Sequence, residues 1–408
     1  MCIFGCQEKI AYPNSEILDV PRLNYYMIQL EKFKMQKNGK LTRWEWVALS
    51  QGYNIADGHA HHDQGRNYSK IIKKLSSIFS LAESQNQNQI QAEFEHFFFY
   101  LAGQKSYNKL NRPLYHYSCS LSIEVVANYF RKHKKTVALL HPTFDNLAAI
   151  LLRHNIKLVP IEESQMLHDI SYIETINADV LFLVCPNNPT GNELGRDNFK
   201  KIVEIAARKK QLLVIDFSFR FFSSYINWDQ YKLLHESKVD FIVLEDTGKT
   251  WPSLDVKIGT MISSNSLYPE LRDITDDFLL NVSPFVFKLI SEYVQADIKK
   301  GSIRARAIVE ENREVLRSVL KKSKLKVTNK NSALSVEWLG LPPGKNGEQL
   351  TEYLNQKSIH ILPGAPFYWN TPSGGDGYIR VALLRPAKEF KIMALKFAKE
   401  VENYYTTV

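Results

Sequence analysis

Short apolar runs alternate with helical periods along the middle of the chain. The apolar runs are Val137–Leu140, Ile156–Pro160, Asp179–Val184, Leu212–Ile215 and Phe241–Leu244. Between them, residues 146–153 and 197–209 place apolar side chains three or four positions apart, which is typical of helices with one buried face. This alternation predicts an α/β fold in which helices cover both faces of a mostly parallel sheet.

The pattern changes after Lys257. Residues 284–321 predict long helices, and a smaller α+β unit follows from about Lys324. Its predicted elements are strands 334–338, 359–362 and 378–384 and a final helix from Lys388. Further helical periods cover residues 22–36, 68–82 and 89–102. We predict three parts: an N-terminal extension and cap (1–66), a large domain (67–295) and a small C-terminal domain (296–408).

Two polar stretches near the N-terminus have purely structural interpretations. Thr42-Arg-Trp-Glu45 has the form of a capping box, in which Thr42 and Glu45 satisfy free amides at the start of a helix. Asp57-Gly-His59-Ala-His61-His62-Asp63 is rich in potential metal ligands, but its spacing matches no zinc pattern and fits a surface loop equally well. We therefore predict no bound metal.

Polar residues follow the last of the apolar runs. Asp246, Thr247 and Lys249 come directly after Phe241–Leu244, and Lys257 follows eight residues later. In open α/β sheets, ligands bind at the carboxyl ends of the strands. A hydroxyl and two cations at this edge predict a site for an anionic cofactor, and a lysine there can also form a Schiff base.

Composition narrows the class of protein. The net charge is +9, but the paired lysines are scattered and no nucleic-acid-binding module is visible, so we predict no nucleic-acid partner. The four cysteines (Cys2, Cys6, Cys119 and Cys185) are too dispersed for a disulfide scaffold, which favours a reducing cytoplasm. No apolar run approaches the roughly 20 residues of a membrane span, and the first residues lack a signal-peptide pattern. We predict a soluble, cytoplasmic protein without a membrane partner.

Further strand-end motifs carry a family resemblance. They are Leu183-Val-Cys-Pro-Asn187-Asn188-Pro-Thr-Gly191, Leu212-Leu-Val-Ile-Asp216-Phe-Ser218-Phe-Arg220 and Gly377-Tyr-Ile-Arg380-Val-Ala. With Lys249 and Lys257, their order resembles the fold type I (class I and II) aminotransferases, which depend on pyridoxal phosphate (PLP). This resemblance covers about residues 110–400. Residues 41–60, 140–146 and 245–255 also resemble a narrower group, the oxygen-using, PLP-dependent arginine oxidases and hydroxylases.

The resemblance implies a role for each cofactor-binding residue. Lys249 would carry the cofactor, Asp216 would keep the pyridine nitrogen protonated, Asn188 would donate to the ring oxygen and Phe144 would lie against the ring. The phosphate would be held by Ser118, Cys119, Ser120, Thr247 and Lys257. The chain departs from most aminotransferases in having Lys257 where they have arginine, and Phe219 where they have tyrosine. Ser218 would partly replace that missing phenol.

The same resemblance implies how the substrate is bound. Arg380 would pair with the α-carboxylate through two hydrogen bonds. Two carboxylates, Asp246 and Glu45, would face a cationic side chain, with Thr42 and Asp57 in the same neighbourhood. His59, in a cap over the site, would act as the catalytic acid or base beside Lys249.

Together these expectations describe an O2-using L-arginine oxidase, with PLP as cofactor and O2 as co-substrate. Its product would be 4,5-dehydro-2-ketoarginine or 4-hydroxy-2-ketoarginine, released with ammonia, and the resemblance implies a place in specialised metabolism such as antibiotic biosynthesis. One alternative is a conventional aminotransferase, which needs a 2-oxo acid acceptor. Another is a regulator of the same fold without turnover, but the chain shows no helix-turn-helix pattern ahead of Thr42. We also expect a homodimer, because enzymes of this fold usually place their sites at a dimer interface.

Overall fold

A seven-stranded sheet is the centre of the part of the chain that the computed structural model describes, residues 40–50 and 52–407. The strands are β1 (Tyr53–Asn54), β2 (Leu114–His116), β3 (Val137–His141), β4 (Leu158–Glu162), β5 (Val180–Val184), β6 (Leu212–Asp216), β7 (Phe241–Asp246), β8 (Gly259–Ser263), β9 (Lys326–Val327), β10 (Val336–Gly340), β11 (Ile359–His360), β12 (Leu362–Pro363) and β13 (Tyr378–Ala382). The order in this sheet is β2-β8-β7-β6-β5-β3-β4. Strands β3 to β7 are parallel, and β8 and β2 add an antiparallel edge.

Helices fill the connections between the strands. They are α1 (Leu41–Ser50), α2 (Gln64–Asn67), α3 (Ser69–Ile72), α4 (Leu75–Ser84), α5 (Gln87–Leu101), α6 (Cys119–Lys132), α7 (Asp145–Arg153), α8 (Glu163–His168), α9 (Tyr172–Thr175), α10 (Arg196–Lys209), α11 (Gln230–Glu236), α12 (Tyr268–Asp276), α13 (Pro284–Lys300), α14 (Arg304–Val319), α15 (Gly347–Gln356) and α16 (Ala387–Thr407). Local sequence sets their limits. Helix α13, for example, has proline at its first position and ends at Gly301, whose φ of 69° is left-handed.

Two smaller sheets accompany the central one, and the second of them joins the two ends of the described chain. An antiparallel sheet has the order β12-β13-β10-β9. Strand β1 pairs in parallel with β11, so that Tyr53 lies opposite Ile359 and Asn54 opposite His360. The Ile55 carbonyl also accepts from the Ala382 amide, at 2.7 Å. The segment that follows α1 is therefore built onto strands from the C-terminal part of the sequence.

The structure confirms the α/β prediction. Each of the five apolar runs contains or overlaps one of the parallel strands β3 to β7. The predicted strand 359–362 is wrong as a single strand, because β11 and β12 belong to different sheets. The predicted helix 68–82 is likewise divided between α3 and α4.

Residues 40–408 group as one compact unit. The predicted division at residues 66 and 295 stays a prediction. The predicted helix 22–36 and the rest of residues 1–39 lie outside the described residues. No helix in the described part of the chain has the length and apolar character needed to span a bilayer.

Candidate active site

A cavity of about 220 Å³ lies at the carboxyl ends of the parallel strands. Val184 ends β5, Asp216 ends β6 and Asp246 ends β7, and all three line it. The sequence-predicted residues that also line it are Thr42, Glu45, His59, Ser118, Cys119, Ser120, Phe144, Asn188, Ser218, Lys249, Lys257 and Arg380. Asp57 and Thr247 lie outside this lining. Residues far apart in sequence thus meet at the sheet edge where ligands bind in this class of fold.

Two lysines and one imidazole meet in the cavity. Lys249, in the 3₁₀ turn after β7, places its Nζ 3.1 Å from His59 Nε2. Lys257 Nζ lies 2.9 Å from the same ring nitrogen and 3.2 Å from Asp255 Oδ1. Because an ammonium group has only donors, His59 Nε2 acts as the acceptor in this arrangement.

Asp57 fixes the orientation of that imidazole. Its Oδ1 accepts from His59 Nδ1 at 2.6 Å and from the His59 amide at 3.0 Å, and its Oδ2 accepts from His61. Burial raises the pKa of Asp57, but the hydrogen bonds from His59 and His61 and the charge of Arg385 outweigh it and hold that pKa far below its usual range. Asp57 stays anionic, and the His59 lone pair faces Lys249.

Asp216 is a buried carboxylate that forms no ion pair with any described residue. Its Oδ1 accepts from the Ser218 amide at 2.7 Å. Burial raises the pKa of Asp216 to about 6; Ser218 and Lys249 oppose that rise and Asp246 adds to it. A protonated pyridine nitrogen beside this carboxylate would supply the missing positive partner, so the residue suits a PLP ring.

The start of α6 forms one wall of the cavity. Ser118 is the N-cap, and its side chain accepts from the Leu121 amide. Strand β8 passes so close that a Cβ on Gly259 would lie 2.4 Å from the Ser118 carbonyl carbon, which only glycine avoids. A helix N-terminus beside a lysine such as Lys257 has the donors and the charge that a phosphate group requires.

The other residues predicted to hold the phosphate have partners within the protein. The Cys119 amide donates to Asp246 Oδ2 at 3.1 Å, and Asn146 donates to Ser120 Oγ at 2.9 Å. Thr247 Oγ1 accepts from the Ile258 amide at 2.8 Å. Burial raises the pKa of Cys119 well above its usual value, with Asp216 and Asp246 adding to the rise, so its thiol stays neutral.

Arg380, on β13, also lines the cavity. Its Nη1 donates to Asn188 Oδ1 and its Nη2 to Glu45 Oε1, both at 3.1 Å, and Nη2 also donates to the Ala56 carbonyl. Its Nε is buried and has no partner among the described residues. Burial lowers the pKa of Arg380, and Glu45 opposes that effect. A guanidinium with an unused donor can bind a carboxylate ligand.

Helix α1 brings Thr42 and Glu45 to the cavity. The capping-box interpretation is wrong, because α1 begins at Leu41 and Thr42 is already inside the helix. Its first amide, that of Leu41, instead donates to Asp145 Oδ2 at 2.9 Å. The Glu45 carboxylate is free of a capping role and faces Arg380.

Aromatic side chains and a hydrogen-bonded loop complete the walls. Phe144 packs edge-on against Phe367, with centroids 6.1 Å apart. The Phe219 ring centroid lies 5.9 Å from Lys249 Nζ.

The loop that carries Asn188 is held in place by Asn187, which donates to the Pro142 carbonyl at 2.9 Å and to Glu163 Oε1 at 2.8 Å. Phe144, Phe219 and Asn188 border the cavity between the strand ends and α1.

Sequence reasoning missed three residues that hold this site together. Asp145 anchors α1, Glu163 anchors the Asn187 loop, and Arg385 donates to the carbonyls of the turn that carries His59. Asp145 directly follows Phe144, and Arg385 stands five residues after Arg380. Their closeness in sequence to predicted site residues was the one feature that could have indicated them. No group of three or more metal-ligating side chains occurs among the residues with described positions.

Comparison with known proteins identifies the family. The model of the family "Aminotransferase class I and II" matches residues 62–394. The chain belongs to the class I and II aminotransferases, and its fold is that of the fold type I PLP enzymes. Family membership also supports PLP as the cofactor.

Individual relatives refine this placement. A structure of MppP, soaked with the product 2-ketoarginine, has 33% sequence identity and a TM-score of 0.80, covering 86% of this chain and 99% of that one. LysN, an α-aminoadipate aminotransferase from Thermus thermophilus, shares the fold at 14% identity and a TM-score of 0.73, covering 92% and 97%. LL-diaminopimelate aminotransferase from Dehalococcoides mccartyi is 23% identical over 54% of this chain. That match spans only about half of the relative's length, 56%.

Proposed function

We propose that the protein is a PLP-dependent, O2-using oxidase of L-arginine. It would release ammonia and an oxidised 2-ketoarginine, either 4,5-dehydro-2-ketoarginine or 4-hydroxy-2-ketoarginine. The observation that carries the proposal is the turn holding His59 over Lys249, beside a helix that presents Glu45. This arrangement adds an acid or base and an extra carboxylate to the usual set of aminotransferase residues.

The cofactor would supply a ring that accepts electrons from the substrate α-carbon. The chain would supply the rest. Asp216 would keep the ring nitrogen protonated, Lys257 and the start of α6 would bind the phosphate, and Arg380 would bind the substrate carboxylate. Lys249 Nζ then takes the α-proton, and His59 Nε2, 3.1 Å away, can receive it.

Substrate selection would follow from charge. Glu45 and Asp246 line the same cavity and are both buried or half-buried carboxylates. A guanidinium group pairs well with such carboxylates through its flat set of donors. The 33% identity to MppP, a protein whose product is 2-ketoarginine, supports arginine over other basic amino acids.

The alternative is a conventional aminotransferase. The curated relatives that match are LL-diaminopimelate aminotransferases, and the cavity contains Lys249, Asp216 and Arg380, the residues on which a transamination would depend. Such an enzyme would need a 2-oxo acid to regenerate its cofactor.

Mass spectrometry of the products separates the two. PLP-loaded protein, L-arginine and air are incubated without any 2-oxo acid. Repeated turnover to a keto acid lighter or heavier than 2-ketoarginine would support the oxidase, and the sign of the mass change would separate desaturation from hydroxylation. Turnover that begins only after pyruvate is added would refute it. Lys249→Ala is the control and should give no product in either case.

A further inference from the structure

Arg385 lies behind the cavity wall that carries His59. It is 3% exposed. Its Nε donates to the Asn54 carbonyl at 2.7 Å, its Nη2 to the Asp57 carbonyl at 2.6 Å and its Nη1 to the His59 carbonyl at 3.2 Å. One guanidinium therefore satisfies three carbonyls of a single turn, residues 54–59.

The turn has a second support at its start. Asn54 Oδ1 accepts from the Ala56 and Asp57 amides, each at 3.2 Å, and from Arg385 Nη2 at 3.3 Å. Leaving one buried polar group without a partner costs about 1–3 kcal/mol. The conformation of the turn therefore depends on the arginine.

The charge of Arg385 is not used in an ion pair with any described residue. Its partners are carbonyls and one amide oxygen. Burial lowers the pKa of Arg385 to about 10, and Asp57 is the largest influence that opposes this effect. A buried cation whose hydrogen-bond acceptors are all neutral recovers little of its desolvation cost from them, and its favourable charge interaction is with Asp57. Its hydrogen bond to the Asp57 carbonyl indicates instead that Arg385 orders the turn that carries Asp57 and His59.

We propose that Arg385 is a positioning residue for His59. It shapes the turn so that Asp57 holds the imidazole and Nε2 faces Lys249 Nζ. The inference rests on the proposed function only for the part that His59 plays in turnover. The dependence of the turn on Arg385 is independent of the substrate.

Substitutions at Arg385 and Asn54 separate the effect of the guanidinium's shape from the effect of its charge. Arg385→Lys keeps the positive charge but loses the planar fork that reaches three carbonyls. Arg313→Lys is the matched control, since Arg313 is also buried, donates to Glu337 and the Leu334 carbonyl, and does not line the cavity. Asn54→Ala is a second variant: it removes the acceptor of the Ala56 and Asp57 amides and one contact of Arg385, but it keeps the arginine and its hydrogen bonds to the three carbonyls.

Amide hydrogen exchange tests the turn directly. In Arg385→Lys, exchange of a peptide covering residues 54–60 should accelerate by roughly tenfold or more, the loss of about one buried hydrogen bond. The same peptide should exchange at the wild-type rate in Arg313→Lys, and faster than wild type in Asn54→Ala. Unchanged exchange in Arg385→Lys would overturn the proposal, and faster exchange in Asn54→Ala would then show that the peptide does report a loosened turn. This readout holds whatever the enzyme oxidises.

A double-mutant cycle tests the route through His59. Arg385→Lys should lower kcat for L-arginine by roughly 100-fold, as expected for a misplaced catalytic group, with KM much less affected. In a His59→Asn background, the same substitution should lower kcat no further. An equal further loss would show that Arg385 acts only on the fold, and would overturn the proposal. If wild type oxidises no arginine, the proposed function fails while the exchange result stands.

Discussion

Glu45 shows how one carboxylate can have two partners. In the structure it accepts from Arg380, the residue proposed to bind the substrate carboxylate. A bound amino acid would bring its own carboxylate to Arg380 and would release Glu45 for a cationic side chain. The ion pair would thus hold both groups in place until a substrate with a negative and a positive end replaced it.

The Glu45→Gln variant tests this exchange of partners. It keeps the shape but removes the charge, so the preference for L-arginine over the uncharged L-citrulline should fall roughly tenfold in kcat/KM. Steady-state rates with both substrates measure it. Glu352→Gln, on the exposed side of α15, is the control and should leave the ratio unchanged. An unchanged ratio in Glu45→Gln would show that Glu45 does not recognise the guanidinium.

Helix α1 is held at its first residue by a distant side chain. Asp145 Oδ2 accepts from the Leu41 amide, while Oδ1 is buried without a partner among the described residues. Burial raises the pKa of Asp145 from 3.8 to about 6. Between these values the folded state binds more protons than the unfolded state, so the free energy of unfolding falls as pH rises. The destabilisation is fully present above pH 6.

The Asp145→Asn variant should remove this pH dependence. Asparagine keeps an acceptor for the Leu41 amide but does not titrate. We expect its free energy of unfolding at pH 8 to exceed that of wild type by about 2 kcal/mol, with the difference vanishing towards pH 4. Urea unfolding at several pH values measures this. Asp197→Asn, at an exposed position in the first turn of α10, should change stability by less than about 0.5 kcal/mol. A variant less stable than wild type at pH 8 would contradict the prediction.

These residues also show what the sequence could and could not predict. The strands and the residues directly after them, such as Asp216 and Lys249, follow from local pattern, because parallel strands bring their ends to one edge. Asp145 and Arg385 were missed because their partners are 104 and 331 residues away in the sequence. The capping box failed for the same reason, since a remote carboxylate supplies the cap.

At the scale of the whole molecule, two exposed apolar side chains are a candidate surface for the homodimer that the family resemblance implies. Leu280 is 90% exposed and Phe278 49%. The loop that carries them is tied to the start of the α6 region, because Ser283 donates its amide to Tyr117 Oη at 3.2 Å. Apolar groups presented together in this way are typical of a surface that another chain covers.

The Leu280→Arg variant tests that assembly. Charge at the centre of an apolar contact should shift the protein from dimer to monomer, as measured by light scattering during size-exclusion chromatography. Leu152→Arg is the control: it is 53% exposed on α7, where no second large apolar side chain is exposed, and should leave the mass unchanged. A wild-type protein that is already monomeric would refute the dimer.

The pairing of β1 with β11 has a consequence for synthesis. Asp216 ends one strand of the central sheet and Lys249 follows another, and all strands of that sheet are made before residue 264. The turn that carries His59 is made earlier still, yet its partners lie at residues 358–360 and 380–385. At the usual rate of translation, this turn waits roughly tens of seconds for them. A nascent chain can therefore form its central sheet well before it can place His59 over Lys249.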